Sequence, residues 1–264
     1  MCFGKNFSEN ASQSGALKAF PDRMPATVPH KGKGFNTFLM KCRTIWHKLS
    51  AKGKKNMPDF SFERNIPDLF APVQGLVAGI DEAGRGPWAG PVVAGAVIFP
   101  NLEIPDYLRA TLNDSKKLTA AKREALFDEL HASNAIIGCG SASVEEIDTL
   151  NILQATFLAM RRAVEALPVK PEYALIDGNK VPPKLPCPAQ AVIKGDALSL
   201  SISAASIIAK VTRDRLMTEL AREFPYYGWE NNAGYGTKAH QDGLKAHGIC
   251  VYHRKSYAPI KKFL

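Results

Sequence analysis

Four carboxylates stand where an apolar run gives way to a loop. Asp81 and Glu82 follow "GLVAGI", Asp177 closes "YALID" before Gly178-Asn179, and Asp196 lies between "AVIKG" and a helical segment. A single Asp at such a place is ordinarily a turn former. Several at equivalent strand ends point to chemistry, because the carboxyl ends of strands in α/β sheets open onto the ligand crevice. Carboxylates gathered there repel one another, so without a cation some of them take up protons. Hard oxygen donors with open positions suit Mg²⁺ or Mn²⁺. Four negative charges balance two divalent ions, and two ions ~3.5–4 Å apart can activate a water and stabilise the departing oxygen in phosphodiester cleavage. One geometric condition attaches. Neighbours on a strand face opposite ways, so Asp81 and Glu82 serve one site only if the strand ends or twists near Ala83-Gly84.

Other residues could serve such a site. Gly84, Arg85 and Gly86 follow the acid pair almost at once. Two glycines let a backbone approach a ligand closely. A tight turn would also account for them, though not for Arg85 beside two acids. Lys116, Lys117, Lys194 and Lys210 are candidates for phosphate contact, each adding salt-sensitive affinity. Lysines equally cover ordinary solvated surface. "FPYYGWENNAGYG" is aromatic and glycine-rich, fit for a loop that grips nucleic acid, while Tyr226, Tyr227 and Trp229 read as packing against the sheet. His240 tempts as a base, but a metal-activated water needs none. His247, Cys250 and His253 lack the partner cluster of a zinc site and read as a packed C-terminal segment.

The elements that must position these groups are legible from about Gly75 onward. "GLVAGID" and "PVVAGAVIF", rich in Val and Ile around a Gly/Pro turn, predict paired strands, and "AIIGCGSAS", "YALID" and "AQAVIK" predict three more. Thr119 caps a short helix. A longer one is expected from Ser143, with Glu146 completing a capping box and Pro168 ending it. Its Leu150, Leu153, Phe157, Met160, Val164 and Leu167 step by three and four onto one face. After Asp196, Leu198, Ile202, Ala205, Ala209, Leu216 and Leu220 mark another helix. Strands first, then alternating strand and helix, imply an α/β fold with a mixed sheet flanked by helices.

The chain has 264 residues and a formal net charge of +9. Residues 1–72 hold 12 Lys+Arg against 5 Asp+Glu, and residues 73–264 hold 22 against 20, so the excess sits in the head. That head is loose in pattern and is expected to be a basic, disordered extension not essential to the chemistry. A presequence, or translation from Met57, are alternative readings of it. Residues 73–264 are expected to form one catalytic domain with a helical C-terminal part. Five scattered cysteines show no C-x-x-C spacing and fit a reducing, cytoplasmic setting. No apolar run approaches the ~18 residues of a membrane span, so no membrane partner is expected.

In order along the chain, "GIDEAGRGPWAGPVVAGAV", "LNDSKKLT", "EIDTLNILQATFLAM", "LIDGN", "VIKGDALSLSISAASIIAKVTRDR" and "GYGTKAH" closely resemble bacterial ribonuclease HII. The resemblance covers almost everything outside the head. It implies a ribonuclease H-like fold with a helical C-terminal part and metal-binding acids at Asp81, Glu82, Asp177 and Asp196, all intact, with Mg²⁺ or Mn²⁺. It makes Gly84, Arg85 and Gly86 readers of the ribose 2′-hydroxyl at an RNA–DNA junction, and Tyr235 the ring that stacks on the adjacent deoxyribose. The implied reaction is hydrolysis on the 5′ side of a ribonucleotide in RNA–DNA hybrids or duplex DNA, leaving a 3′-hydroxyl and a 5′-phosphate. The enzyme is expected to act as a monomer on nucleic acid, in ribonucleotide removal. Two rivals remain: a ribonuclease HIII-like preference for long hybrids, although that family lacks the Gly-Arg-Gly, and a hybrid-binding protein without catalysis.

Overall fold

The apolar runs extend into strands as their Val and Ile content dictates. A computed structural model describes residues 57–66, 76–112 and 118–264. Within it lie β1 (Val77–Ala83), β2 (Val92–Ile98), β3 (Ile136–Ala142), β4 (Tyr173–Asp177) and β5 (Ala189–Val192). They form one sheet in the order β3-β2-β1-β4-β5. β1 runs antiparallel to β2 and parallel to β4, and β4 runs parallel to β5. This is the mixed sheet expected, with β1 at its centre.

Helices cover both faces. On one, α5 (Ile152–Glu165) sets Phe157, Met160 and Val164 against Ala78, Ile80 and Ala94. On the other, α6 (Leu200–Glu223) crosses β1 and β2. Two glycines set how closely these helices approach. A Cβ on Gly79 would lie 2.1 Å from the Ser201 carbonyl carbon, and one on Gly140 would lie 2.3 Å from the Ala163 nitrogen. Any side chain there would push a helix off the sheet. Further helices are α1 (Ser61–Arg64), α2 (Asp106–Leu112), α3 (Ala120–Ala132) and α4 (Val144–Leu150). The C-terminal part holds α7 (Trp229–Asn232), α8 (Lys238–His247) and α9 (Ala258–Lys261), gathered around Tyr227, Trp229, Leu244 and Ile260.

Three expectations change. The helix from Ser143 forms its capping box, but it is two helices and not one. Asn151, at φ 71° and ψ 161°, breaks the run, and its Oδ1 accepts from the Leu153 and Gln154 N–H groups to start α5. Leu150 falls before the break and is exposed, so the buried stripe begins with α5. In α6 the buried positions near the C-terminal end are Met217 and Ala221, with Leu216 and Leu220 half-buried. The first half is buried almost all round because the sheet and a second layer enclose it. Part of that layer is residues 57–66, which lie inside the span expected as an extension. Phe60 is buried against Phe99 and α6.

Candidate active site

β1 carries the first two acids through the pleat. Val77 and Gly79 face α6, whereas Ala78 and Ile80 face α5. Alternation therefore sends Asp81 toward α6 and Glu82 toward α5. The strand does not end at the pair but runs to Ala83, opposite Val93. Pairing with β4 stops earlier, at Ile80 opposite Ile176. Beyond that point Glu82 has no strand beside it on the β4 side, and it borders cavities on both faces. A cavity of about 380 Å³ is lined by Asp81, Glu82 and Asp196, with Lys210 of α6 beside them. A second, of about 320 Å³, is lined by Glu82 and Asp177 with Phe157 and Met160 of α5.

The register that stops at Ile176 places Asp177 next in β4, alongside Asp81. Asp177 also organises the turn after β5. Its Oδ1 accepts from the Gly195 N–H at 2.6 Å and the Asp196 N–H at 3.4 Å, so the third acid fixes the backbone of the fourth. Asp196 lies in a 3₁₀ turn, Gly195–Ala197, entered through Lys194 in the left-handed region at φ 59°.

Burial pushes the Asp81 carboxyl well above its usual range, and the charges of Glu82, Asp177 and Asp196 push it further. Burial raises Glu82 too, against the ion pair from Arg85 Nη1 at 3.1 Å. An all-oxygen set that resists ionisation in this way fits hard divalent cations, which would supply the missing positive charge. Among the described residues no three acidic, histidine or cysteine side chains are grouped closely enough to enclose an ion. The acids converge on one sheet edge from two faces.

Gly84, Arg85 and Gly86 line the cavity that holds Asp81, and so does Tyr235, which is half exposed. A Cβ on Gly86 would lie 3.3 Å from the Tyr235 ring. Gly84 sits at φ +98° with Arg213 pressed against it, so no other residue fits. Lys210 borders the cavity and pairs with Asp214 at 2.6 Å. Lys194 is exposed beside the Asp196 turn and lines neither cavity. Lys116 and Lys117 lie outside the described residues.

Two buried arginines shape this loop, and neither is among the candidates drawn from the sequence. Arg254 donates to the carbonyls of Gly84 at 2.6 Å, Arg85 at 3.0 Å and Gly90 at 2.9 Å. Arg213 donates to those of Ala89, Pro91 and Ala233. The Tyr257 hydroxyl also donates to the Arg85 carbonyl. In a trans peptide the N–H points opposite the C=O. With the Gly84 and Arg85 carbonyls tied to Arg254, the Arg85 and Gly86 N–H groups turn away from that guanidinium. Burial and the neighbouring Arg254 lower Arg213 to about 10, which leaves it charged at neutral pH. Arginine inside "VTRDR" on an otherwise buried helix was the available signal; Arg254 gave none, since its acceptors lie about 170 residues away.

His240 is fully buried and lines neither cavity. Its Nε2 accepts from the Trp229 indole N–H at 3.3 Å and faces His253 Nε2 at 3.0 Å. His253 Nδ1 accepts from the Cys250 N–H, so the proton between the rings belongs to His253. His240 therefore donates from Nδ1 to the Tyr235 carbonyl at 3.0 Å. It anchors the Tyr235 loop and does not reach the acids. Trp229 and Tyr227 are buried, but in the C-terminal cluster with Met217 and Leu244 and not against the sheet as expected, and Tyr226 is about half exposed and stacks on His247.

A family model described as Ribonuclease HII matches residues 78–260. The chain belongs to the ribonuclease HII family. It is 56% identical over 207 residues to the ribonuclease HII of Jannaschia sp. (strain CCS1), covering 78% of this chain and 98% of that one. It is 58% identical over 207 residues to that of Ruegeria pomeroyi, covering 78% and 85%. The crystal structure of ribonuclease H2 from Pyrococcus horikoshii superposes with a TM-score of 0.60 at 31% identity, covering 71% of this chain and 96% of that one. Membership makes the chain a ribonuclease H, a hydrolase of RNA phosphodiester bonds. The fold it shares with these relatives is the ribonuclease H-like mixed sheet with helical flanks and a helical C-terminal part. Among the described residues no helix is long and apolar enough to cross a membrane.

Proposed function

We propose that the chain cleaves the phosphodiester on the 5′ side of a ribonucleotide, in RNA–DNA hybrids and in duplex DNA with embedded ribonucleotides, leaving a 3′-hydroxyl and a 5′-phosphate. The observation that carries this reading is the contact of two features in one cavity: Asp81, Glu82 and Asp196 share it with a Gly84–Gly86 backbone whose carbonyls are tied back by Arg254. A backbone so held offers N–H groups to a 2′-hydroxyl, the group that tells RNA from DNA. Tyr235, anchored through its carbonyl by His240, gives a ring against which the neighbouring deoxyribose stacks.

Asp81, Glu82, Asp177 and Asp196 would hold two Mg²⁺ or Mn²⁺ ions. Such a pair supplies an activated water and stabilises charge on the departing oxygen. The chain's own contribution is alignment. Asp177 fixes the turn that presents Asp196, the Gly-Arg-Gly loop sets which sugar lies beside the acids, and Lys210 at the cavity rim neutralises phosphate. Lys194, Lys116 and Lys117 are proposed backbone contacts on the same substrate. The role is ribonucleotide removal from DNA in the cytoplasm, by a monomer.

The test is a labelled DNA duplex with one ribonucleotide, incubated with Mg²⁺ beside an Asp81→Asn control. A single nick 5′ of the ribonucleotide, absent in the control and with chelator, is the expected result. Cutting confined to runs of several ribonucleotides would replace the junction reading with an HIII-like one. Binding without cleavage in either metal would leave a hybrid-binding protein.

A further inference from the structure

Residues 57–66, which precede the span that the family model matches, pack against the start of α6. Backbone bonds join Asp59 to both sides of the α6 start: the Asp59 N–H donates to the Leu198 carbonyl and the Leu200 N–H to the Asp59 carbonyl, each at 3.2 Å. Phe60 is buried beside Phe99 and Leu200, while Phe62 and Ile66 pack with Ile202 and Val192. Between them Glu63, 1% exposed, places one oxygen at the first turn of α6. Oε1 accepts from the Ser199 hydroxyl at 2.6 Å, the Ser201 N–H at 3.2 Å and the Ser201 hydroxyl. Ser199 is the N-cap itself, accepting from the Ile202 N–H. A carboxylate at a helix N-terminus answers both its free N–H groups and its dipole. Glu63 thus completes from outside the cap that Ser199 begins.

What this fixes is the turn one step upstream. The Ser199 N–H donates to the Gly195 carbonyl at 2.8 Å, and Asp196 lies between them. On its other side the same turn is held by Asp177 through the Gly195 N–H. Two carboxylates from opposite directions therefore bracket Asp196. Burying Glu63 is costly: burial raises its carboxyl pKa, and among the described residues its Oε2 has no hydrogen-bond partner. Costs of this kind are expected at functional or strained sites.

We propose that Glu63 is a positioning residue for Asp196, so that the segment of residues 59–66 is part of the metal-binding apparatus. The inference rests on the reading of Asp196 as a metal ligand. Outer partners of metal ligands typically carry about 10–100-fold in metal affinity. The experiment compares Glu63→Ala, Glu63→Gln and Ser201→Ala with the wild type, well below each midpoint of thermal unfolding. Mn²⁺ binding is read by electron paramagnetic resonance, and the Mg²⁺ dependence of cleavage is read separately. Glu63→Ala should weaken Mn²⁺ binding by about 10-fold and lower kcat at saturating substrate, with KM for the duplex unchanged. Glu63→Gln, whose amide oxygen can take the place of Oε1, should recover most of the loss, and Ser201→Ala should show a smaller one. If Glu63→Ala does not fold, Ser201→Ala carries the test. Wild-type Mn²⁺ affinity in every variant that folds would overturn the proposal. If the wild type and Asp196→Asn bound Mn²⁺ equally, the assignment of Asp196 itself would fall, whatever Glu63 does.

Discussion

Asp81 is buried, with like charges around it, and that sets a stability cost that metal would relieve. Its folded-state proton affinity is raised above the unfolded value, so the folded chain binds the extra proton. The associated stability is present at low pH and is lost as pH rises through the raised value. Metal-free Asp81→Asn should therefore melt above the wild type at pH 8, by roughly 2–4 °C for each kcal/mol relieved. The advantage should shrink as the pH is lowered toward the ordinary Asp range. Cleavage by the same variant should fall by more than the roughly 10–100-fold typical of an outer-shell change. Melting curves in chelator and single-ribonucleotide nicking check the two halves. The histidine pair has the opposite sign. Burial first and then the adjacent His240 hold His253 down to about 4, so the unfolded chain protonates earlier. Stability should be full above about 6.5 and decline as pH falls toward 4. In His253→Gln that decline should be shallower, as thermal melts across the interval would show.

At the scale of elements, α5 depends on one unusual residue. Asn151 both breaks the helix that begins at Ser143 and caps the one that follows, in a backbone region that L-residues avoid. Asn151→Ala removes the cap and keeps the strain, and should cost about 1 kcal/mol or somewhat more, read by urea unfolding. Because α5 walls the cavity of Glu82 and Asp177, the loss should also appear as weaker metal-dependent activity. The loop after β1 obeys the same logic in reverse. It is fixed by groups remote in sequence, Arg213 and Arg254, and has little internal order to lose.

For the whole molecule, charge and chemistry separate along the chain. Residues 1–56 carry 11 Lys+Arg against 2 Asp+Glu, which leaves no net charge on residues 57–264. A chain starting at Met57 should keep site-specific nicking. It should also lose non-specific affinity for duplexes and show a flatter dependence of binding on salt. Anisotropy titrations from low to physiological salt check this. A chain starting after Ile66 should also bind metal at least as weakly as Glu63→Ala, because Glu63 and the buried Phe60 go with it.

Strand identity, helix caps at Thr119 and Ser143, the mixed sheet and the family motifs were determined by the sequence itself, because alternation, capping and turn chemistry are local. The candidacy of Asp81, Glu82, Asp177 and Asp196 was legible there too, since strand-end acids are visible as interruptions of apolar runs. Other features needed the fold. The pleat sends Asp81 and Glu82 to opposite faces, and only the early stop of β4 lets Glu82 border both cavities. Asn151 hides inside a helical spacing that continues through it, so periodicity joined two helices. Phe60 and Glu63 sit in a stretch whose composition resembles the head, and their partners lie about 40 and 140 residues away. Arg254 reaches back about 170 residues to the loop it holds. Local pattern records what a segment prefers by itself; which distant group satisfies a buried carbonyl or caps a helix is decided only when the sheet brings the segments together.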